Sequence, residues 1–292
     1  MMDCLGAIRR SSMFLVFWYA ACGGTIANAG GPACSRESLK GTVDSYLAAL
    51  AAHSLSNLAL DPKVRFTENG TDTATGKGLW ETAGKVLLKR SAIDTETCGT
   101  VTQAIIEENG RPIIFGFRLR VHDGKITEIE HIVAREKEFA FTPKGILDTA
   151  NQDWEGVLKP AERSSRMAMI AAAVDYFDMF ADDPAVSTPF ATPCDRWENG
   201  MQTTRGGEFQ GKVYPPHSCT PKGLGLIIKH PPRRVPVVDL EAGIVVAFVH
   251  FANSLPDFHM FKMRNGKVEL IQAVIGAGAH STGWASEETL KN

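Results

Sequence analysis

The strongest constraint on this chain is an order of features that occurs twice. From Leu39 to Leu50, apolar residues fall at Leu39, Val43, Tyr46, Leu47 and Leu50, the spacing of an amphipathic helix. From Ile170 to Ala181 the same pattern returns at Ile170, Val174, Phe177 and Phe180, and the two stretches align on Val43-Asp44 and Val174-Asp175. Each is followed by a turn: Arg65-Phe66-Thr67-Glu68-Asn69-Gly70 in one half, Arg196-Trp197-Glu198-Asn199-Gly200 in the other. Asn-Gly favours a tight turn because both residues tolerate positive φ. Each half then closes with a hairpin, Phe117 to Val133 about Asp123-Gly124 and His259 to Ile275 about Asn265-Gly266. The repetition predicts two tandem α+β domains, each an N-terminal helix packed on a curved antiparallel sheet. A sheet curled round a helix forms a cone, and its wide end is a place for a ligand.

The expected organisation is a signal peptide over residues 1–29, a first domain over 30–150, a connector over 151–163, a second domain over 164–280 and a tail over 281–292. The leader rests on Arg9-Arg10, the apolar run Met13 to Cys22 and the small residues Ala27-Asn28-Ala29. That run is too short to span a bilayer. Export to a secreted or periplasmic location follows, with lipoprotein anchoring at Cys22 as a second reading. Beyond the leader four cysteines remain, which allow three pairings. The repeat places two in each half and favours Cys34–Cys98 and Cys194–Cys219. None has CxxC spacing, and His217, His230 and His280 lie in expected loops without acidic or thiol neighbours at ligand spacing, so no metal site is expected. Asn69-Gly70-Thr71 fits the N-glycosylation pattern. A net charge of -2 gives no reason to expect nucleic acid or an anionic membrane as partner.

The segments Thr192-Pro193-Cys194-Asp195-Arg196-Trp197-Glu198-Asn199-Gly200, Cys219 and Leu255-Pro256-Asp257-Phe258-His259-Met260-Phe261 carry a resemblance. The chain resembles the SnoaL-like domains of the nuclear-transport-factor-2-like (NTF2-like) superfamily, in tandem, as found in exported fungal and bacterial proteins of unknown function. The resemblance implies a cone fold and no cofactor. It leaves activity open, since such domains include isomerases, cyclases, dehydratases, lyases, hydrolases and plain binding domains. Phe258 stands where a small polar residue is expected and Trp197 where an aliphatic one is, and both would reshape a pocket.

Strand alternation selects the residues that could carry chemistry. His259 shares a face with Phe261 and Met263, and an inward His beside an acid makes a general acid–base pair. Asp257 is expected to face elsewhere, which leaves Glu198 or Asp175 as its acid. Arg196 could hold an anionic oxygen of the substrate. Trp197, Gln272 and His250 complete the expected substrate-binding set, with His250 also open to the opposite side of the sheet. His131 lies among strand residues whose two faces are equally mixed. Against each role stands a structural one: a core His with satisfied nitrogens, or an Arg196–Glu198 brace that recurs as Arg65 and Glu68. His259 has no His at the matching place in the first hairpin, where Phe117 aligns, and that asymmetry favours the second half as the working one. Two functions remain open. One is an exported cofactor-independent lyase or isomerase acting by proton transfer on a small apolar molecule. The other is a non-catalytic ligand-binding or scaffold protein, with a homodimer joined through the sheets as one arrangement.

Overall fold

The computed structural model of the chain describes residues 32–209, 211–222, 231–251, 255–278 and 284. The leader over residues 1–29, with Cys22, lies outside these, as do His230, His280 and the tail apart from Trp284. The first half runs α1 (Arg36–Ala51), β1 (Leu60–Glu68), β2 (Thr71–Asp72), β3 (Ala83–Asp94), β4 (Gly99–Glu108), β5 (Arg111–His122) and β6 (Lys125–Ala134), followed by a short α2 (Pro143–Leu147). The second runs α3 (Arg166–Asp178), β7 (Phe190–Glu198), β8 (Met201–Gln202), β9 (Gly207–Phe209), β10 (Lys212–Tyr214), β11 (Arg233–Asp239), β12 (Ile244–Phe251), β13 (Leu255–Arg264) and β14 (Lys267–Ile275). One sheet has the order β2-β1-β6-β5-β4-β3. The other, read from its far edge, is β8-β7-β14-β13-β12-β11, the same topology, with β9–β10 a separate hairpin. The sheets are mainly antiparallel, but β1 runs parallel to β6 and β7 parallel to β14.

Both helices start at a serine whose hydroxyl accepts a backbone N–H, Ser35 from Ser38 and Ser165 from Ala168. Counting from these caps pairs Tyr46 with Tyr176, so the alignment of Val43 with Val174 is one residue out. Met169, Ala173, Tyr176 and Phe177 are the buried stripe of α3, while Ile170 and Val174 are half-buried. Each helix packs on the inner face of its own sheet. In the first half Leu39, Tyr46 and Leu50 meet Phe66, Phe115, Phe117 and Ile129. In the second, Tyr176, Phe177 and Phe180 meet Val245, Phe261 and Ile271.

The outer faces of the two sheets form a third core against each other. Val101, Ile105, Ile114 and Ile132 of the first half belong to one buried cluster with Ile244, Val246, Phe248, Phe258 and Met260 of the second. Burying each such side chain contributes about 1.5–3 kcal/mol. The sheet faces expected to join a homodimer are therefore covered within one chain. Phe258 packs here, on Gly116 and Phe248, and reshapes no cone.

Reciprocal polar contacts frame this seam. Asp94, at the end of β3, accepts the Val238 N–H at 2.9 Å and pairs with Arg166 at 2.6 Å. Asp239, at the end of β11, accepts the Ile93 N–H at 2.9 Å and pairs with Arg36 at 2.8 Å. Asn69 accepts the Val133 N–H and donates across to the Ala277 carbonyl. Asn199 likewise accepts the Ile275 N–H and donates to the Phe139 carbonyl. This corrects the glycosylation expectation, because the Asn69 amide is buried and committed inside the fold. The disulfides are Cys34–Cys98 and Cys194–Cys219, one in each half. Among the described residues no helix is long and apolar enough to cross a membrane.

Candidate functional site

Three elements aim polar groups into the second cone. On β7 alternate residues share a face, so Arg196 and Glu198 point inward and Asp195 and Trp197 outward. The inner position of Arg196 is 4% exposed. On β13 the same rule turns Asp257, His259 and Phe261 inward together. The expectation that Asp257 faces away from His259 is overturned, since residues two apart on a strand lie on one side of it. From α3, Tyr176 completes the set.

The groups form two couples joined by a ring. On one wall His259 Nδ1 lies 3.1 Å from Asp257 Oδ1. Among the described residues Asp257 Oδ2 is buried with no hydrogen-bond partner. On the other wall Arg196 Nη1 donates to the Tyr176 hydroxyl oxygen at 2.9 Å, and Arg196 Nε lies 3.0 Å from Glu198. The Tyr176 ring is 5.6 Å from the His259 ring, and Phe177 meets that imidazole edge-on at 5.1 Å. Burial raises the Asp257 carboxyl to about 6 against the pull of His259, with the Glu198 charge adding to the rise. Burial likewise lifts the Tyr176 phenol to about 12, so it holds its proton. A carboxyl balanced near neutrality thus faces a phenol whose oxygen already accepts from a guanidinium. The first can take a proton and the second can donate a hydrogen bond to a developing negative charge.

The structure brings His259, Glu198 and Arg196 into one cluster around Tyr176, with Glu198 paired to Arg196 and His259 paired to Asp257. The other expected site residues fall elsewhere. Asp175 is on the flank of α3, where burial and the neighbouring Asp178 raise its carboxyl against Arg233. Trp197 pairs with Gln202 and Gln272 on the outer face of the sheet. Gln272 accepts from Gln103 of the first half at 3.4 Å and so belongs to the seam. His250 shares the face of Val246 and Phe248, which also packs against the first half. Sequence reasoning does not single out Tyr176 and sets Asp257 aside. Both carried a signal, Tyr176 in its distance from the Ser165 cap and Asp257 in its i, i+2 relation to His259.

The same inner positions of the first cone hold different chemistry. Aligned on the Asn-Gly and hairpin turns, Phe66 stands for Arg196, Phe115 for Asp257, Phe117 for His259 and His131 for Ala273. Only Tyr46 and Glu68 match their counterparts Tyr176 and Glu198. The outward Arg65 corresponds to Asp195, so the Arg–Glu brace of the second half does not recur. The Tyr46 hydroxyl lies 2.7 Å from His131 Nε2, and burial lowers the affinity of that imidazole for a second proton. Phe66 and Phe115 wall it in at 4.7 Å each.

Fold and cluster together define a tandem pair of cone-shaped α+β domains, each with a tyrosine, a histidine and an acid inside it: Tyr46, His131 and Glu68 in the first, and Tyr176, His259 and Asp257 with the Arg196–Glu198 pair in the second. Residues 162–275, the second half, match a family model described as Domain of unknown function (DUF8021). No curated protein matches the chain. Solved structures similar to it include a de novo designed protein with a curved β-sheet, at 21% identity and a TM-score of 0.30, covering 39% of this chain and 98% of that one. Another is an NTF2-like protein of unknown function from Burkholderia xenovorans LB400, at 18% identity and a TM-score of 0.27, covering 35% and 88%. A third is an NTF2-like protein of unknown function from Cytophaga hutchinsonii, at 13% identity and a TM-score of 0.24, covering 37% and 94%.

Proposed function

We propose that the protein is an exported, cofactor-independent lyase or isomerase that moves a proton on a small, largely apolar organic molecule in its second cone. The observation that carries this reading is the partnerless Oδ2 of Asp257, buried beside His259 and across from Tyr176. A buried carboxylate oxygen without a hydrogen bond is costly, and a functional site is where such a cost is found. Asp257 takes a proton from a carbon next to a carbonyl. Tyr176 donates its O–H to the oxygen that gains the electron pair, and Arg196 steadies the phenol. His259 holds the carboxyl in place. Returning the proton to another carbon completes an isomerisation; loss of a β-leaving group completes an elimination. The leader sequence and the two disulfides support export.

The binding reading keeps one observation in its favour: Tyr176, Arg196, Asp257 and His259 are each 5% exposed or less. Deuterium uptake from heavy water into a panel of apolar enolisable ketones separates the two. The parent protein should catalyse uptake, and Asp257→Asn should lose it by about 10²–10⁴-fold while keeping its circular dichroism spectrum. Equal uptake by Asp257→Asn, or none by the parent, defeats the enzyme reading.

A further inference from the structure

We propose that the insertion of the second half, tied down by Cys194–Cys219, is what holds Arg196 in the cone, with Thr203 and the Cys219 carbonyl as its positioning groups. A buried guanidinium has five N–H groups to satisfy. Two of its partners, the Tyr176 hydroxyl that accepts from Nη1 and the ion-paired Glu198, come with the fold, for they recur in the first half as Tyr46 and Glu68. The first half carries no guanidinium at the equivalent position, which holds Phe66. The other two acceptors come from the insertion: Thr203 Oγ1 takes the Arg196 Nε–H at 2.8 Å, and the Cys219 carbonyl takes Nη1–H at 3.2 Å. The first half has no such segment, since residues 73–82 lead straight from β2 to β3, whereas residues 203–232 separate β8 from β11.

The disulfide fixes where the carbonyl stands. Cys194 lies two residues before Arg196 on the same inward face of β7, and both sulfurs are sealed in the aromatic core of the cone. Backbone bonds lace the insertion to the same strand: Thr203 N–H to the Arg196 carbonyl, Arg196 N–H to Thr204 Oγ1, and Cys194 N–H to the His217 carbonyl. The bridge, the two acceptors and the buried Arg196 are thus one device. Its effect on catalysis rests on the acid–base reading above; its geometry does not.

The test needs no substrate. Nitrogen-15 NMR of the full mature protein follows hydrogen exchange at Arg196 Nε. The parent should show a slowly exchanging Nε–H. Thr203→Val, and separately Cys194→Ser with Cys219→Ser, should speed that exchange by about tenfold or more, the usual weight of a bond to a charged group. Thr203→Ser should restore slow exchange, and removing the Cys34–Cys98 bridge should leave it unchanged. Should the variant lacking Cys194–Cys219 not fold, Thr203→Val decides alone. Parental exchange rates in Thr203→Val overturn the proposal, whether or not any ketone exchanges deuterium.

Discussion

Asp257 and His259 couple the chemistry of the site to the stability of the fold. An unfolded aspartate titrates near about 3.9, whereas burial holds the Asp257 carboxyl at about 6. The folded chain therefore binds this proton more tightly than the unfolded chain does. The fold feels no penalty from Asp257 below about pH 4, loses stability as pH rises through the interval to about 6, and loses no more above it. Two pKa units correspond to about 3 kcal/mol. Urea titrations between pH 4 and 7 should show this decline in the parent and a flatter profile in Asp257→Asn, which at pH 7 should be at least as stable as the parent. A steeper decline in the variant would show that the charged carboxylate supports the fold.

At the scale of elements, the seam between the sheets is packed closely enough to reject a methyl group. A Cβ placed on Gly116 of β5 would come within 2.0 Å of Phe258 Cε1. Phe258 lies in turn against Phe248, with centroids 5.3 Å apart, so its ring cannot swing clear. Gly116→Ala should cost about 1–3 kcal/mol by overpacking, read as a lowered urea midpoint, and Phe258→Leu should recover part of it. This crowding also explains which elements the sequence disclosed. The turns at Asn69 and Asn199 were legible because positive φ (47° and 42°) is a local demand with a local signature. Helix register was read one residue out because both halves contain a Val-Asp pair, while the serine caps set the true phase. Gln272 is expected in the cone and His250 is left open between the two sides for a different reason. Alternation separates inside from outside only when one face meets water, and here both faces of each sheet are buried.

Across the whole molecule, the halves share a core and the crossing ion pairs and backbone bonds of Asp94 and Asp239, so they should unfold as one. Asp94 serves the Val238 N–H and Arg166 at once. Its removal strands the buried Val238 N–H and leaves Arg166 with Glu96 alone, a loss of roughly 1–3 kcal/mol for the N–H. Calorimetry should give a single transition for the parent, and Asp94→Ala should shift that transition downward without splitting it. Two resolved peaks would mean that each cone holds itself together.

Because one seam joins two like cones inside a single polypeptide, the copies are released from having to agree. In an assembly of identical subunits, every alteration of an inner wall is made on both sides of the axis. Here Phe66 and Arg196, or Phe117 and His259, are encoded separately. One chamber could keep rings at Phe66 and Phe117 while its sibling took a guanidinium and an imidazole at the same places, a difference that no pair of identical subunits can write into its genes.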